Sequence, residues 1–256
     1  ILACDVLSRT AAPDMALNNW ERFVEAAGGS EEHFRALLAQ PMGLDVLLHL
    51  FAASQFLSDT LIRNPAFLPW LTDPAHIHKL RDARELADEL RSLAAEAPDD
   101  AAWRDALRRL RRREILRTGA RDLVLGKPLA DITTELTLVA DAIARAAVER
   151  IWATLEGEDP AQAFRLGRGF CVLAFGKLGG RELNYSSDID LIGVYQPLPG
   201  GDRDKEQGVY DRVMERLRED LARHTAEGSA YRVDLRLRLY GSSEILVYPI
   251  DSLAEY

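Results

Sequence analysis

The stretch that decides the fold starts at Phe170-Cys-Val-Leu-Ala-Phe175, turns through Gly176-Lys-Leu-Gly-Gly180, and resumes at Ser186-Ser-Asp-Ile-Asp-Leu-Ile-Gly-Val-Tyr195. The first segment is a continuous apolar run of strand length with glycine on both sides, the pattern of a strand buried on both faces. Cys171 lies inside it and is expected to be a buried, inert thiol. The last segment reads as a second strand. Pro197 to Gly201 reads as a loop, about 205–226 as a helix, and Tyr231–Leu239 as a third strand. The order strand, glycine turn, strand, helix, strand predicts a mixed sheet module.

Upstream of Pro160 the pattern is almost purely helical. Ser30 followed by Glu31 and Glu32 is a helix start, a hydroxyl cap and then carboxylates beside the positive end of the dipole, with Phe34, Leu37 and Leu38 at helical spacing. Pro41 opens the next helix, where Leu44, Leu47, Leu48 and Phe51 follow the i, i+3, i+4, i+7 rule. Phe56, Leu57, Leu61 and Ile62 extend that pattern until Pro65 and Pro69 break it. Further helices are expected near 80–96, 101–118 and 130–156, separated by Pro98-Asp99-Asp100 and Gly126-Lys127-Pro128. The expectation is an α+β protein with a helical domain over 1–160 and a sheet domain over 161–256.

Composition narrows the class. The 256 residues are 47% apolar and 29% charged, as in an ordinary globular protein, and the net charge of −9 lacks the basic footprint of generic nucleic-acid binding. The basic run from Arg104 to Arg117 is the exception. Trp103, Leu107, Leu110 and Glu114 share one stripe there, so the arginines read as a solvated helix surface with acidic neighbours, or as a contact for an acidic partner. No apolar run approaches the roughly 20 residues that span a bilayer, and no secretory signal opens the chain, so no membrane partner is expected. Two cysteines, Cys4 and Cys171, offer neither a disulfide framework nor a zinc site and point to a reducing, cytoplasmic setting. The chain opens on Ile-Leu-Ala-Cys rather than Met, and is expected to be part of something longer.

The chemistry concentrates in three elements. In Asp188-Ile189-Asp190 strand alternation points both carboxylates the same way while Ile189 and Leu191 enter the core. Paired like charges suit a hard cation such as Mg²⁺, although an exposed pair on an edge strand has the same spelling. Gly176, Gly179 and Gly180 lie between two strands, where backbone N–H groups can approach a phosphate; Lys177 adds a cation and Ser186 and Ser187 add hydroxyls. A glycine turn standing alone is only a loop device. In the third strand Arg232, Asp234, Arg236 and Arg238 alternate with Val233, Leu235, Leu237 and Leu239. Beside the second strand, Asp234 would complete a triangle of carboxylates able to hold two divalent ions, with the arginines neutralising phosphate oxygens. Alternatively, Asp234 is a structural partner for those arginines.

The eighteen residues Phe175-Gly-Lys-Leu-Gly-Gly-Arg-Glu-Leu-Asn-Tyr-Ser-Ser-Asp-Ile-Asp-Leu-Ile192 closely resemble the signature of the glutamine synthetase adenylyltransferase/deadenylylase family, within the polymerase-β-like nucleotidyltransferases. Tyr231-Arg-Val-Asp-Leu-Arg-Leu-Arg238 is similar to the family's third-carboxylate strand, and Ser58-Asp-Thr-Leu-Ile-Arg-Asn-Pro65 and Arg111-Arg-Arg-Glu-Ile-Leu-Arg117 are similar to its helical part. Two departures are Leu239, where the family usually has Pro, and Ser243-Glu-Ile-Leu246 in place of a Gly-Pro-Leu-type segment. The resemblance implies a nucleotidyltransferase-type mixed sheet, and Asp188, Asp190 and Asp234 as the catalytic residues and ligands of Mg²⁺, expected as two ions. It also implies nucleotide or phosphate contacts from Gly176, Lys177, Gly179, Gly180, Ser186, Ser187, Arg236 and Arg238. Glutamine synthetase would be the protein substrate, the PII signalling protein the regulator, and phosphate and an adenine nucleotide the small-molecule partners.

The family has two such units, one removing AMP from a glutamine synthetase tyrosine by phosphorolysis and one attaching it from ATP. The wording Glu182-Leu-Asn-Tyr-Ser-Ser-Asp-Ile-Asp190, with Tyr231-Arg-Val-Asp-Leu-Arg-Leu-Arg238, looks more like the removing unit. Transfer from ATP to glutamine synthetase or another acceptor, and a non-catalytic docking module, are the alternatives.

Overall fold

The computed structural model describes residues 2–28, 41–236 and 246–255. In chain order the described elements are α1 (Leu2–Ser8), α2 (Pro13–Ala26), α3 (Pro41–Ala53), α4 (Gln55–Arg63), a short 3₁₀ turn (Pro65–Phe67), α5 (Leu68–Thr72), α6 (Pro74–Ile77), α7 (Ala83–Glu96), α8 (Asp100–Leu123), α9 (Leu129–Glu158), α10 (Pro160–Gly167), β1 (Phe170–Phe175), α11 (Gly176–Gly179), β2 (Ile189–Tyr195), α12 (Arg203–Ala222), β3 (Val233–Asp234), β4 (Val247–Pro249) and α13 (Ile250–Glu255). The α+β class holds: helices dominate and one small mixed sheet of four strands accompanies them. Among the described residues no helix is long and apolar enough to cross a membrane.

The helix ends follow from local chemistry. Ser54 accepts the Leu57 N–H at 3.3 Å and starts α4, so the expected continuous helix over 44–62 is two helices with a cap between them. Asp73, Asp159 and Asp202 cap α6, α10 and α12 in the same way, with Pro74 and Pro160 at the first turn. The helix start read at Ser30, with Phe34, Leu37 and Leu38, lies outside the described residues.

Two compact units divide the chain, and the division is not at 160. One holds Ile1–Asp82 with Arg112–Glu135, the other Ala83–Arg111 with Leu136–Tyr256. The two longest described helices, α8 and α9, each give one end to each unit, so no single point of the sequence separates the two units. In the first unit Phe23 and Phe51 pack with ring centroids 5.9 Å apart, and Leu47, Leu50, Leu61 and Leu71 are fully buried with them.

The arginine run is a second correction. Trp103, Leu107, Leu110 and Glu114 are buried as the stripe suggests, but Arg108, Arg117 and Arg121 are buried too. These guanidinium groups are tolerated because carboxylates and helix-end carbonyls meet them. Within the first unit Arg117 donates to Glu114 (2.9 Å) and Glu135 (2.6 Å), and Arg121 donates to Glu135 (2.7 Å) and to the Ile77 carbonyl that ends α6 (2.6 Å). Within the second, Arg108 donates to the carbonyls of Asp220 (3.0 Å), Arg223 and Gly228 (2.8 Å), closing the C-terminus of α12. The run is internal scaffolding rather than a solvated face.

In the sheet, β2 is central. β1 pairs with it antiparallel from Phe170↔Tyr195 to Phe175↔Asp190; on its other side β3 pairs parallel at its start and β4 parallel at its end. β1 is therefore an edge strand with alternating burial, not a strand buried on both faces. Its Phe170 face stacks on Tyr210 of α12 and meets Trp152 of α9 edge-on, while Cys171, Leu173 and Phe175 face outward and are exposed. Cys171 is thus not buried as expected, although partial desolvation still pushes its thiol up. β3 is shorter than the expected Tyr231–Leu239 strand. The Asp234 carboxylate accepts the backbone N–H of Arg236 at 2.8 Å, a local bond that replaces the ladder there. Residues 237–239 lie outside the described residues.

Candidate active site

Strand register sets the three aspartates on one face of the sheet. Asp190 is directly paired with Asp234 across the parallel β2–β3 ladder, anchored by the Ile189 N–H to the Arg232 carbonyl at 2.9 Å. Residues opposite one another share a face, and Asp188 stands two residues before Asp190. Ile189 and Leu191 point the other way and are buried, so the alternation read from the sequence is the alternation of the sheet.

Arginines from the β3 segment meet two of these carboxylates. Arg232 Nε donates to Asp188 Oδ1, and its Nη2 to the Ser186 carbonyl at 3.3 Å. Arg236 forks onto Asp234, with Nη2–Oδ2 at 2.6 Å and Nε–Oδ1 at 3.0 Å. The Arg236 guanidinium is pushed above its ordinary range, first by the hydrogen bond to Asp234 and then by the charges of Asp234, Asp188 and Asp190. One cation therefore feels all three carboxylates. Asp188, Asp234, Arg232 and Arg236, joined by Arg218 from α12, line a cavity of about 340 Å³. Arg238 lies outside the described residues.

The glycine turn is a single helical turn, α11, rather than an open loop: the Gly180 N–H is donated to the Gly176 carbonyl at 2.9 Å. Gly176 itself has φ +56°, and a Cβ there would collide with Asp190 Oδ2. Its hydrogen atom is thus what lets the Asp190 carboxylate lie against the start of α11. Gly176→Ala is expected to lower stability by about 1–2 kcal/mol from the left-handed backbone alone. It should also displace Asp190 and lower turnover by more than that loss of folded protein explains; a melt and a rate on the same sample check both. Lys177 is exposed. Gly179 fills a different need, since a Cβ there would strike the Ala174 carbonyl of β1.

Ser186 and Ser187 are held by a residue that the sequence reading did not single out. Asn184 Oδ1 accepts the Ser186 N–H at 3.1 Å and the Ser187 hydroxyl at 2.6 Å, and the Asn184 N–H donates to Ser187 Oγ at 3.3 Å. This Asx turn fixes the entry into Asp188. Asn directly ahead of Tyr-Ser-Ser was the available signal for it. Arg218 was also missed, and nothing in helical periodicity distinguishes it from the other arginines of α12.

Among the described residues no three His, Cys, Asp or Glu side chains gather closely enough to hold a metal ion. Asp188 and Asp234 are turned to their arginines instead. The donor set is nonetheless of the right kind for a divalent cation: three hard carboxylates on one sheet face, two of them paired with arginine side chains that are 74% and 87% exposed. Exposed ion pairs of this sort contribute about 0–1 kcal/mol, so little opposes their exchange for a cation.

Such a face can gather a divalent cation and the phosphoryl oxygens it neutralises, with guanidinium groups beside them. The surrounding chain fits that use. A family model described as glutamate-ammonia ligase adenylyltransferase matches residues 44–256, a span containing α11, all four strands and every one of these side chains. On that match across most of its length, the chain belongs to the glutamate-ammonia ligase adenylyltransferase family, nucleotidyltransferases that act on glutamine synthetase.

Proposed function

We propose that the chain is an adenylyl-removing unit, releasing AMP from a modified tyrosine of glutamine synthetase by phosphorolysis. The observation that carries the reading is the in-register pair Asp190↔Asp234 with Asp188 on the same face and Arg232 and Arg236 beside them. The spelling from Glu182 to Asp190 gives the direction, being closer to the removing than to the attaching unit.

In this reading a hydrogen phosphate oxygen bonds to the adenylyl phosphorus and the bond from phosphorus to the tyrosyl oxygen breaks. The leaving oxygen takes the proton that the phosphate carried, giving ADP and free tyrosine. Asp188, Asp190 and Asp234 would hold Mg²⁺, expected as two ions. Bound there, Mg²⁺ supplies positive charge to the phosphoryl and leaving oxygens. Arg236 and Arg232, released from their aspartates, turn to phosphate oxygens, which their planar forks fit. Asp190 is kept oriented by Gly176, and Ser186 and Ser187 by Asn184. A cytoplasmic location and regulation by the PII signalling protein complete the proposal; they come from the resemblance and from cysteine usage.

Two incubations test the direction. Adenylylated glutamine synthetase with phosphate and Mg²⁺ should give ADP in amounts that follow phosphate, whereas unmodified glutamine synthetase with ATP should remain unlabelled. Labelling from ATP without phosphate-dependent ADP would reverse the assignment.

A further inference from the structure

Among the described residues three guanidinium groups line the cavity that holds Asp188 and Asp234, and two of them are engaged: Arg232 with Asp188 and Arg236 with Asp234. The third, Arg218, is exposed, and among the described residues it has no hydrogen bond or ion pair. Its neighbours on α12 show why it projects there. Val213, Met214, Leu217 and Leu221 form the buried stripe of the helix, and Arg218 follows Leu217 at the edge of that stripe. Its acidic helix neighbours are Glu215 and Glu219, which line with it a groove along α12; Glu219 is already met by Arg104 and Arg223. Asp190 leans on Gly176 and does not line the cavity. Among the described residues the lining thus carries three positive groups against two negative ones.

We propose that Arg218 anchors a subsite for inorganic phosphate, the nucleophile of the phosphorolysis, and this rests on the reading of function above. Phosphorolysis needs two anionic phosphorus centres in one cavity, the adenylyl phosphoryl group and the incoming dianion. The aspartates, with the cation they gather, and the two β3-segment arginines serve the first. The second repels it and requires a cation that is not already engaged with an aspartate. Among the described lining residues Arg218 is that cation, delivered by a separate element into the same cavity. A guanidinium matches two phosphate oxygens at once, so it fixes the orientation of the nucleophile as well as its charge. Arg218 is accordingly a substrate-binding residue for phosphate and not for the protein substrate.

Calorimetric titration with inorganic phosphate of the chain, Arg218→Gln and Arg218→Lys, each with Mg²⁺ present, tests this without turnover. Arg218→Gln is expected to weaken phosphate binding about 10- to 100-fold, the effect of losing charge-assisted bonds, and Arg218→Lys to recover most of it. In turnover, the KM for phosphate should rise with the same ratio while the KM for adenylylated glutamine synthetase stays put. Circular dichroism of both variants should match the parent, since the side chain is exposed. Equal phosphate affinity in the parent and Arg218→Gln, or no phosphate binding by the parent, overturns the subsite. Phosphate binding that depends on Arg218 in a chain that performs no phosphorolysis supports the subsite and overturns the functional reading instead.

Discussion

Replacing Asp190 by Asn is expected to cut turnover by roughly a thousand-fold or more while leaving the melting temperature close to the parent's. Charge stabilisation at a phosphoryl group by a carboxylate-held cation is worth several kcal/mol, and each 1.4 kcal/mol is about a tenfold change in rate. The fold has little to lose. Asn is isosteric with Asp, Asp190 is only half-buried, and the β2–β3 pairing uses its backbone rather than its carboxylate. Asp234→Asn should behave the same way, because its bond to the largely exposed Arg236 is worth about 1 kcal/mol at most. Had the aspartates been structural partners for the arginines, the same substitutions would lower the melt and spare the rate per folded molecule. A melting curve with a single-turnover rate separates these outcomes.

Glu135→Ala is expected to have the opposite signature, a large loss of stability. Glu135 is buried and accepts from two buried arginines, Arg121 at 2.7 Å and Arg117 at 2.6 Å. Arg117 keeps Glu114 and the Lys79 carbonyl and Arg121 keeps the Ile77 carbonyl, but buried Arg121 then loses its carboxylate, and the Glu114 left to Arg117 is already met by Arg113 and Arg81. Breaking a buried pair by removing one member costs about 3–5 kcal/mol, which for a domain of this size lowers Tm by roughly 10 °C. Glu135→Gln, which keeps one acceptor and the volume, should fall between. A Tm for Glu135→Ala within about a degree of the parent's would show that the arginines find water or other acceptors.

Much of the site was legible because strand alternation is a local property. Asp188, Ile189, Asp190 and Leu191 take their faces from the pleat alone, and Asp234 does the same within its own segment. That the two segments pair in register, Asp190 against Asp234, is a tertiary fact, and the residues alone offered Asp234 beside the second strand only as one of two readings. The helix expected from about 205 is present and begins at Arg203 behind the Asp202 cap, whereas α10, capped by Asp159, was not read from the sequence. What failed depended on distant partners. An apolar run such as Phe170–Phe175 is spelled alike in a strand covered on both faces and in one covered on a single face, and only distant helices decide it: Trp152 and Tyr210 cover the Phe170 face while Leu173 and Phe175 stay exposed. The arginines of α8 look solvated because the groups that bury them, the Ile77 carbonyl and the Asp220 and Gly228 carbonyls, lie 44, 112 and 120 residues away in the chain. The unit boundary was hidden for a related reason: α9 is one uninterrupted helix of 30 residues, and periodicity carries no mark of where it leaves one unit for the other.

The central claim is that Asp188, Asp190 and Asp234 act together on a divalent cation, and Mn²⁺ as a paramagnetic substitute for Mg²⁺ tests it most directly. Titration of the parent followed by electron paramagnetic resonance should show bound Mn²⁺ that Mg²⁺ displaces. Asp188→Asn, Asp190→Asn and Asp234→Asn should each weaken that binding by about tenfold or more, the loss of one charged ligand. Undiminished Mn²⁺ affinity in all three single variants, with turnover preserved, would contradict the account.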